Sequence, residues 1–239
     1  MVVGIGPGDP LDRTRRTEKA IADSQVIVGY ERYLRLIQDL TAGKEIIPSA
    51  MTQEVERCRV ALSRAARGEV VSLISSGDPG VYGMAGLALE MASAEEVHIP
   101  IEIIPGVPSA NAAAAKMGAP LMLDYATISL SDLLIPWEKI RARLEAVAAA
   151  DLVVALYNPR SKERGWQLVE AAGIFRNFRQ GKTPVGIATA ADPDGEEVML
   201  TDLDHFLDFE INMRSVVIIG NHSSRRARDW FITPRGYRL

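Results

Sequence analysis

The sequence alternates short runs of β-branched residues with longer amphipathic or alanine-rich segments. Strands that alternate with helices in this way form α/β domains with a largely parallel sheet, because a parallel connection needs a crossover helix. In the first half the pattern predicts helices at Gln53–Arg67 and Ser109–Met117. The predicted strands there are Met1–Ile5, Val26–Val28, Glu45–Ile47, Val70–Ile74 and Ile101–Ile104.

The alternation resumes after Gly118-Ala119-Pro120, a turn signal that follows the second of these helices. Helices are predicted at Trp137–Ala149 and Arg164–Arg176, and strands at Ala126–Leu130, Leu152–Tyr157, Val185–Ala188, Glu197–Thr201 and Ser215–Ile219. The second half is therefore a second α/β unit. We predict two α/β domains, one at 1–121 with glycine turns and one at 122–239.

Composition restricts the class of partner. Hydrophobic residues make up 47% of the 239, enough to bury a core, and the net charge of −4 gives no global basic field for nucleic acid or an anionic membrane. No apolar run approaches the roughly 18 residues that a membrane span needs. We expect a cytoplasmic protein that binds neither nucleic acid nor membrane, and the N-terminus predicts mature structure rather than a targeting peptide.

The single cysteine is Cys58. It cannot form an internal disulfide, and no Cys/His cluster at metal-ligand spacing accompanies it, so no metal site is predicted. Val55, Cys58, Leu62 and Ala65 recur at spacings of three and four. This is the period of one helix face, and Cys58 is therefore predicted to face the core.

A glycine-rich turn, Gly4-Ile5-Gly6-Pro7-Gly8-Asp9, directly follows the first strand. Such turns bring backbone close to a ligand. The dinucleotide fingerprint has a third glycine where Asp9 stands, and Pro7 removes a donor, yet Glu31 lies about where the ribose-binding acid would be. A nicotinamide- or flavin-dependent oxidoreductase therefore remains an alternative.

Two further turns follow predicted strands, at Ser75–Met84 and at Pro105–Ala110. Ligands of open α/β sheets bind outside the carboxyl ends of the strands, so the three turns are expected to converge on one edge. Asp78 would then face a ligand crevice. The alternative is a turn in which Asp78 only caps the next helix.

Together these stretches resemble the tetrapyrrole methylases that use S-adenosylmethionine. The order and spacing agree for Gly4–Asp9, Ser76-Gly77-Asp78-Pro79 with Tyr82-Gly83, Pro105-Gly106-Val107 and Leu156-Tyr157-Asn158. A narrower similarity, to the precorrin-3B C17-methyltransferases of corrin (vitamin B12) biosynthesis, rests on Ser75–Met84, Gly118–Met122, Ile128–Leu134, Pro136-Trp137-Glu138, Leu156–Pro159 and Ile232–Tyr237.

The resemblance implies two α/β domains with the cofactor in a cleft between them, in a homodimer. It assigns cofactor binding to Pro7, Ser76, Gly77, Asp78, Val81, Pro108, Ser109, Tyr157, Asn158 and Ala188. Relatives carry Thr-Ala where this chain has Pro108-Ser109. Pro108 has no N–H, so a contact there must use its carbonyl or the Ser109 hydroxyl.

The reaction that the resemblance implies moves a methyl group to C17 of the macrocycle and contracts the ring to precorrin-4. Methyl transfer needs alignment and exclusion of water, whereas contraction moves protons and would use an acid or base. Ser129, Ser131 and Asp132 are the predicted catalytic candidates. Alternatively, Ser131 or Asp132 caps the helix that begins near Pro136.

The implied substrate carries many carboxylates, which predicts arginine or lysine at its site. Arg13, Arg160 and Arg235 are the main candidates, and each has the alternative of a solvated surface charge. The wider set adds Arg15, Arg16, Lys162, Arg225 and Arg226. The sequence does not distinguish a metal-free substrate from one that already carries cobalt.

Two other hypotheses of function are consistent with the sequence. Another corrin-pathway or sirohaem-type methylase would carry the same glycine turns but methylate a different carbon. A non-catalytic sensor of S-adenosylmethionine or tetrapyrrole would bind its ligand without turnover.

Overall fold

The structure, a computed structural model, describes residues 1–161, 163–191 and 195–238. It divides into two compact units, Met1–Ser109 and Ala110–Leu239. The division thus falls at the start of the helix Ser109–Met117, whereas the sequence places the domain boundary after that helix. The physical reason is packing, because Ala110, Ala113 and Met117 are buried against strands of the second unit.

The first unit is built on one five-stranded sheet in which every pair of neighbouring strands is parallel. Its strands are β1 (Val2–Gly4), β2 (Val26–Tyr30), β3 (Glu45–Ser49), β4 (Val71–Ser75) and β5 (Ile103–Ile104), in the order β3-β2-β4-β1-β5. Its helices are α1 (Arg15–Asp23), α2 (Glu31–Arg35), α3 (Glu54–Ala66) and α4 (Ala85–Ala94). All five predicted strands are present, and the predicted parallel sheet is confirmed.

Two apolar clusters form the core of the first unit. One joins Val2, Val28, Leu73 and Ala88 with Cys58, whose exposure is 0%. The other gathers residues of β1, β2, α1 and α2. The prediction that Cys58 faces the core is therefore confirmed.

The second unit contains a mixed five-stranded sheet in the order β10-β9-β11-β8-β7. Its elements are α5 (Ser109–Met117), β6 (Gly118–Ala119), β7 (Tyr125–Ser129), α6 (Trp137–Ala149), β8 (Val153–Tyr157), α7 (Trp166–Arg176), β9 (Pro184–Ala191), β10 (Gly195–Asp202), β11 (Ser215–Ile219), β12 (Arg225–Ala227) and β13 (Trp230–Ile232). Within this sheet, as far as the structure describes it, β7 and β8 are the only parallel pair. The strand β11 pairs antiparallel with both β8 and β9, and β9 pairs antiparallel with β10. Because β8 and β9 flank β11, they run in the same direction.

A small third sheet, of order β12-β13-β6, was not predicted. The sequence indicates only a helix-ending turn at Gly118, but this residue pairs with Phe231 of β13. A Cβ on Gly118 would lie 2.9 Å from the Phe231 carbonyl oxygen, and its φ is +124°, so the position favours glycine. In the part of the chain that the structure describes, no helix is long and apolar enough to cross a membrane.

Candidate functional site

The three glycine turns of the first unit meet at the carboxyl ends of β1, β4 and β5. Gly6 and Gly77 exchange both backbone hydrogen bonds, with N···O distances of 3.2 and 2.7 Å. A Cβ on Gly106 would lie only 2.1 Å from the Gly77 oxygen, so the turns approach too closely for any side chain there. The predicted convergence of the turns is thus confirmed.

The Asp78 side chain joins the turns after β4 and β5 by hydrogen bonds. Its Oδ1 accepts a hydrogen bond from the Gly80 N–H at 2.8 Å, and its Oδ2 accepts one from the Gly106 N–H at 3.1 Å. The helix α4 begins only at Ala85, so Asp78 does not cap it. The half-buried carboxylate keeps further lone pairs for a ligand.

The other first-unit candidates for cofactor binding lie on the same turns. A Cβ on Gly77 would lie 3.5 Å from Ser109 Oγ, which places the β4 turn beside Ser109. The structure brings these residues together, and most of them are partly exposed to solvent. Pro7, Ser76, Val81, Pro108 and Ser109 are half-buried, and Gly77 is buried.

The chemistry of these turns fits a sulfonium cofactor better than a dinucleotide. Residues 4–9, 75–83 and 104–109 contain no lysine or arginine, but they contain four prolines, which lack an N–H. The N–H groups of Gly6, Gly77 and Gly106 are already used between the turns. The carbonyl oxygens and carboxylates on these turns suit a cation and ribose hydroxyls rather than a pyrophosphate.

Candidate residues of the second unit lie at one level of its sheet. Ser129, the last residue of β7, is in register with Tyr157, the last of β8. Leu156 and Ile187 both pair with Val217 of β11, so Tyr157 and Ala188 follow at the same level. The Tyr157 hydroxyl oxygen accepts a hydrogen bond from the Ala110 N–H at 3.0 Å, which ties β8 to α5.

Asn158 turns the chain at the end of β8. Its φ of +51° is in the left-handed region, which asparagine tolerates better than most residues. Its Nδ2 donates to Ser129 Oγ at 3.0 Å, and the Ser131 N–H donates to the same oxygen at 3.2 Å. Both acceptor positions of the Ser129 hydroxyl are thereby used, which leaves its proton to be donated.

Asp132 is held by two residues of the segment before and within α7. Gln167 Nε2 donates to Asp132 Oδ2 at 3.0 Å, and Arg164 Nε lies 3.9 Å from Oδ1. Arg164 also donates from Nη1 to the Leu130 oxygen at 2.7 Å. The helix α6 begins at Trp137 after Pro136, with no side-chain cap. Neither Ser131 nor Asp132 therefore caps this helix, and sequence reasoning missed the anchors Arg164 and Gln167.

The predicted substrate arginines differ in their availability. The Arg13 side chain is 3% exposed, and its guanidinium contacts the Asp39 carboxylate at 2.6 Å and the Leu36 oxygen. This ion pair lowers the pKa of Asp39 and occupies Arg13, so Arg13 is not placed to meet a substrate carboxylate. Arg160 is half-buried in the loop after β8, Arg235 is exposed near the C-terminus, and Lys162 lies outside the described residues.

The comparison with known families gives the class. Residues 1–206 match the tetrapyrrole (corrin/porphyrin) methylases. The match covers most of the chain, and this protein belongs to that family. The predicted family resemblance, the α/β fold class, the methyltransferase class of enzyme and the cofactor S-adenosylmethionine are confirmed.

Two relatives carry more specific names. The chain is 46% identical over 241 residues to a cobalt-factor III methyltransferase of Priestia megaterium, and this match covers 99% of the chain but 45% of the relative. It is 43% identical over 239 residues to a probable cobalt-factor III C(17)-methyltransferase of Salmonella typhimurium, covering 100% of the chain and 99% of the relative. The chain thus spans about half of the first relative and nearly all of the second.

Solved structures show the same fold. The crystal structure of the methyltransferase CobJ superposes with a TM-score of 0.90 at 36% identity and covers 98% of each chain. A cobalt precorrin-4 methyltransferase, CbiF, superposes with a TM-score of 0.73 at 25% identity, covering 92% of this chain and 93% of that one. The similarity therefore extends over almost the whole of this chain.

Proposed function

We propose that this protein transfers a methyl group from S-adenosylmethionine to C17 of precorrin-3B, or of its cobalt counterpart, and contracts the ring to the precorrin-4 level in cobalamin biosynthesis. One observation carries the proposal. The chain aligns end to end, at 43% identity, with a relative named for methylation at C17. A second relative, named for cobalt-factor III, matches at 46%.

The first unit contributes the turn surface for the cofactor. When bound, S-adenosylmethionine supplies an electrophilic methyl group on a sulfonium. Asp78 accepts from ribose hydroxyls while its other lone pairs keep the turns joined. Pro7, Ser76, Gly77, Val81, Pro108 and Ser109 supply carbonyl oxygens and apolar surface around it.

The second unit contributes Tyr157, Asn158 and Ala188 to cofactor binding. Ala188 is 1% exposed and provides backbone and a small apolar surface, whereas Tyr157 and Asn158 are half-buried polar side chains. Because no nucleophilic side chain is needed for an in-line methyl transfer, these residues act by alignment and by exclusion of water.

Ring contraction moves a carbon–carbon bond and protons, and we assign proton donation to Ser129. The reason is its hydrogen bonding: the hydroxyl accepts from Asn158 and from the Ser131 N–H, so its own proton is free for the substrate. Asp132 acts as a positioning residue, since its carboxylate already contacts Gln167 and Arg164.

The carboxylates of the substrate would be met by Arg160 and Arg235, and not by Arg13, which is paired with Asp39. A homodimer and a cytoplasmic location are further parts of the proposal. The family resemblance supports the homodimer.

Ligand binding and turnover test the proposal in sequence. S-adenosylhomocysteine and NAD are titrated separately by calorimetry, and then cobalt-factor III and S-adenosylmethionine are incubated with the protein. We expect S-adenosylhomocysteine to bind, NAD not to bind, and the tetrapyrrole to gain one methyl group by mass. Binding without turnover would instead indicate a sensor, and NAD binding alone would indicate a dinucleotide enzyme.

A further inference from the structure

The loop that joins β7 to α6 carries two adjacent leucines in solvent. Leu133 is 79% exposed and Leu134 is 92% exposed. Single exposed apolar side chains are ordinary on protein surfaces, but adjacent exposed leucines present a contiguous apolar surface of the kind found at binding sites.

The backbone immediately before the two leucines is fixed. The Leu130 N–H donates to the Tyr157 carbonyl oxygen at 2.9 Å, and the Leu130 carbonyl oxygen accepts from Arg164 Nη1 at 2.7 Å. Asp132, the residue directly before the pair, accepts from Gln167 Nε2 at 3.0 Å. Arg164 and Gln167 are themselves buried, at 8% and 2% exposure. The leucines are therefore presented outward from an anchored base.

The loop also lies at the functional edge of its sheet. It leaves the carboxyl end of β7, whose last residue, Ser129, is in register with Tyr157 at the carboxyl end of β8. The carboxyl ends of parallel strands are where α/β sheets bind ligands. Arg160, in the loop that follows β8, adds a cation to the same edge.

We propose that Leu133 and Leu134 pack against an apolar face of the tetrapyrrole macrocycle and set the affinity for it; this rests on the proposed function. A tetrapyrrole has broad conjugated faces and carboxylates on its rim, which matches leucines and an arginine in loops at the same edge of the sheet. The cofactor is a poorer occupant, because leucine side chains offer no hydrogen bond to its ribose or its amino-acid group.

The experiment measures substrate binding without turnover. Cobalt-factor III is titrated by absorbance into protein saturated with S-adenosylhomocysteine, and the Kd of S-adenosylhomocysteine is measured by calorimetry. The variants are the double substitution Leu133→Ser with Leu134→Ser, the apolar double substitution Leu133→Ile with Leu134→Ile, and Leu89→Ser. Leu89 is an exposed leucine of α4 in the first unit, 46% exposed, and serves as the matched control.

We expect the serine pair to raise the Kd for cobalt-factor III by about 10- to 100-fold, because two leucines lose their burial. The Kd of S-adenosylhomocysteine should stay within about twofold, and the isoleucine pair and Leu89→Ser should bind the tetrapyrrole like wild type. An unchanged Kd for the serine pair overturns the proposal. So does a serine pair that converts a wild-type dimer to monomer in sedimentation, since the leucines would then face a second copy.

This experiment distinguishes failure of the leucine contact from failure of the proposed function. Wild-type protein that binds cobalt-factor III and methylates it, with no effect of the serine pair, contradicts only the role of the leucines. Wild-type protein that neither binds nor methylates the tetrapyrrole contradicts the proposed function, and the role of the leucines with it.

Discussion

The Asp78 carboxylate has a structural role, and we propose that it also binds the cofactor. It joins the turns after β4 and β5 through the N–H groups of Gly80 and Gly106. The sequence indicated a functional residue in a Gly-Asp-Pro turn. It could not show the contact with Gly106, because that contact joins residues far apart in the chain.

Asp78→Ala is expected to weaken S-adenosylhomocysteine binding by at least about tenfold and to lower the free energy of unfolding by about 1–3 kcal/mol, since two backbone N–H groups lose their acceptor. Calorimetry and urea denaturation measure the two effects. Asp229→Ala, at an exposed position between β12 and β13, is the control and should change neither. Wild-type affinity in Asp78→Ala would remove Asp78 from the cofactor site.

Ser129→Ala removes the hydroxyl that we assign to proton donation in ring contraction. We expect contraction to slow by about 10²-fold or more, because general acid catalysis typically contributes this much. The Kd of S-adenosylhomocysteine should change much less, because Asn158 loses only one hydrogen-bond acceptor. A methylated but uncontracted tetrapyrrole should then accumulate, detectable by mass and absorbance. Ser63→Ala, on the exposed side of α3, is the control. Contraction at the wild-type rate in Ser129→Ala would contradict the assignment.

The Cys58 thiol is predicted to be inert in the folded protein. Burial raises its pKa to about 11, so the reactive thiolate is a minor species near neutral pH. Ellman's reagent should therefore react with the thiol only after unfolding in guanidinium chloride, at one thiol per chain. Rapid reaction in native buffer would show that α3 does not bury this side chain.

At the scale of elements, the glycine turns depend on close backbone approach. Gly106→Ala would bring a Cβ within 2.1 Å of the Gly77 oxygen. We expect it to separate the turns, to lower the unfolding free energy and to weaken S-adenosylhomocysteine binding at least about tenfold.

Gly86→Ala is the matched control for this substitution. Gly86 lies within α4, and a Cβ placed there would have no atom within 4 Å other than those of its chain neighbours and of the adjacent helix backbone. Alanine favours a helix over glycine, so this variant should gain about 0.5–1 kcal/mol of unfolding free energy and keep wild-type binding. Equal effects of the two substitutions in urea denaturation would contradict the close approach of the turns.

Elements with strong local signals could be predicted to the residue. The helix α5 has the predicted bounds Ser109–Met117, because a serine precedes a run of alanines and a glycine follows it. The helix α6 has the predicted bounds Trp137–Ala149, since Pro136 suits the first turn. Both signals lie within the segment itself.

Elements formed by distant pairing could not be predicted in this way. The strand β12 begins Arg225-Arg226 and shows no apolar alternation; it forms because β13 pairs with it and with β6. The Arg13–Asp39 ion pair likewise joins residues that the sequence does not connect, and it turned a predicted substrate contact into a structural one.

Each unit has its own five-stranded sheet and its own core. The family could be predicted from the order of short motifs along the chain, because each motif follows a strand and the fold brings strand ends together within each unit. The unit to which α5 belongs could not be predicted, because its alanines could pack against the sheet of either unit. In the structure they lie against the second sheet.

The carbon that receives the methyl group decides whether this protein is a C17-methyltransferase. Cobalt-factor III is incubated with the protein and S-adenosylmethionine labelled with ¹³C in its methyl group, and the product is analysed by NMR. We predict one labelled methyl group, bonded to C17 of a contracted ring. A labelled methyl group at any other carbon would make this protein a tetrapyrrole methylase of different specificity and would contradict the proposed function.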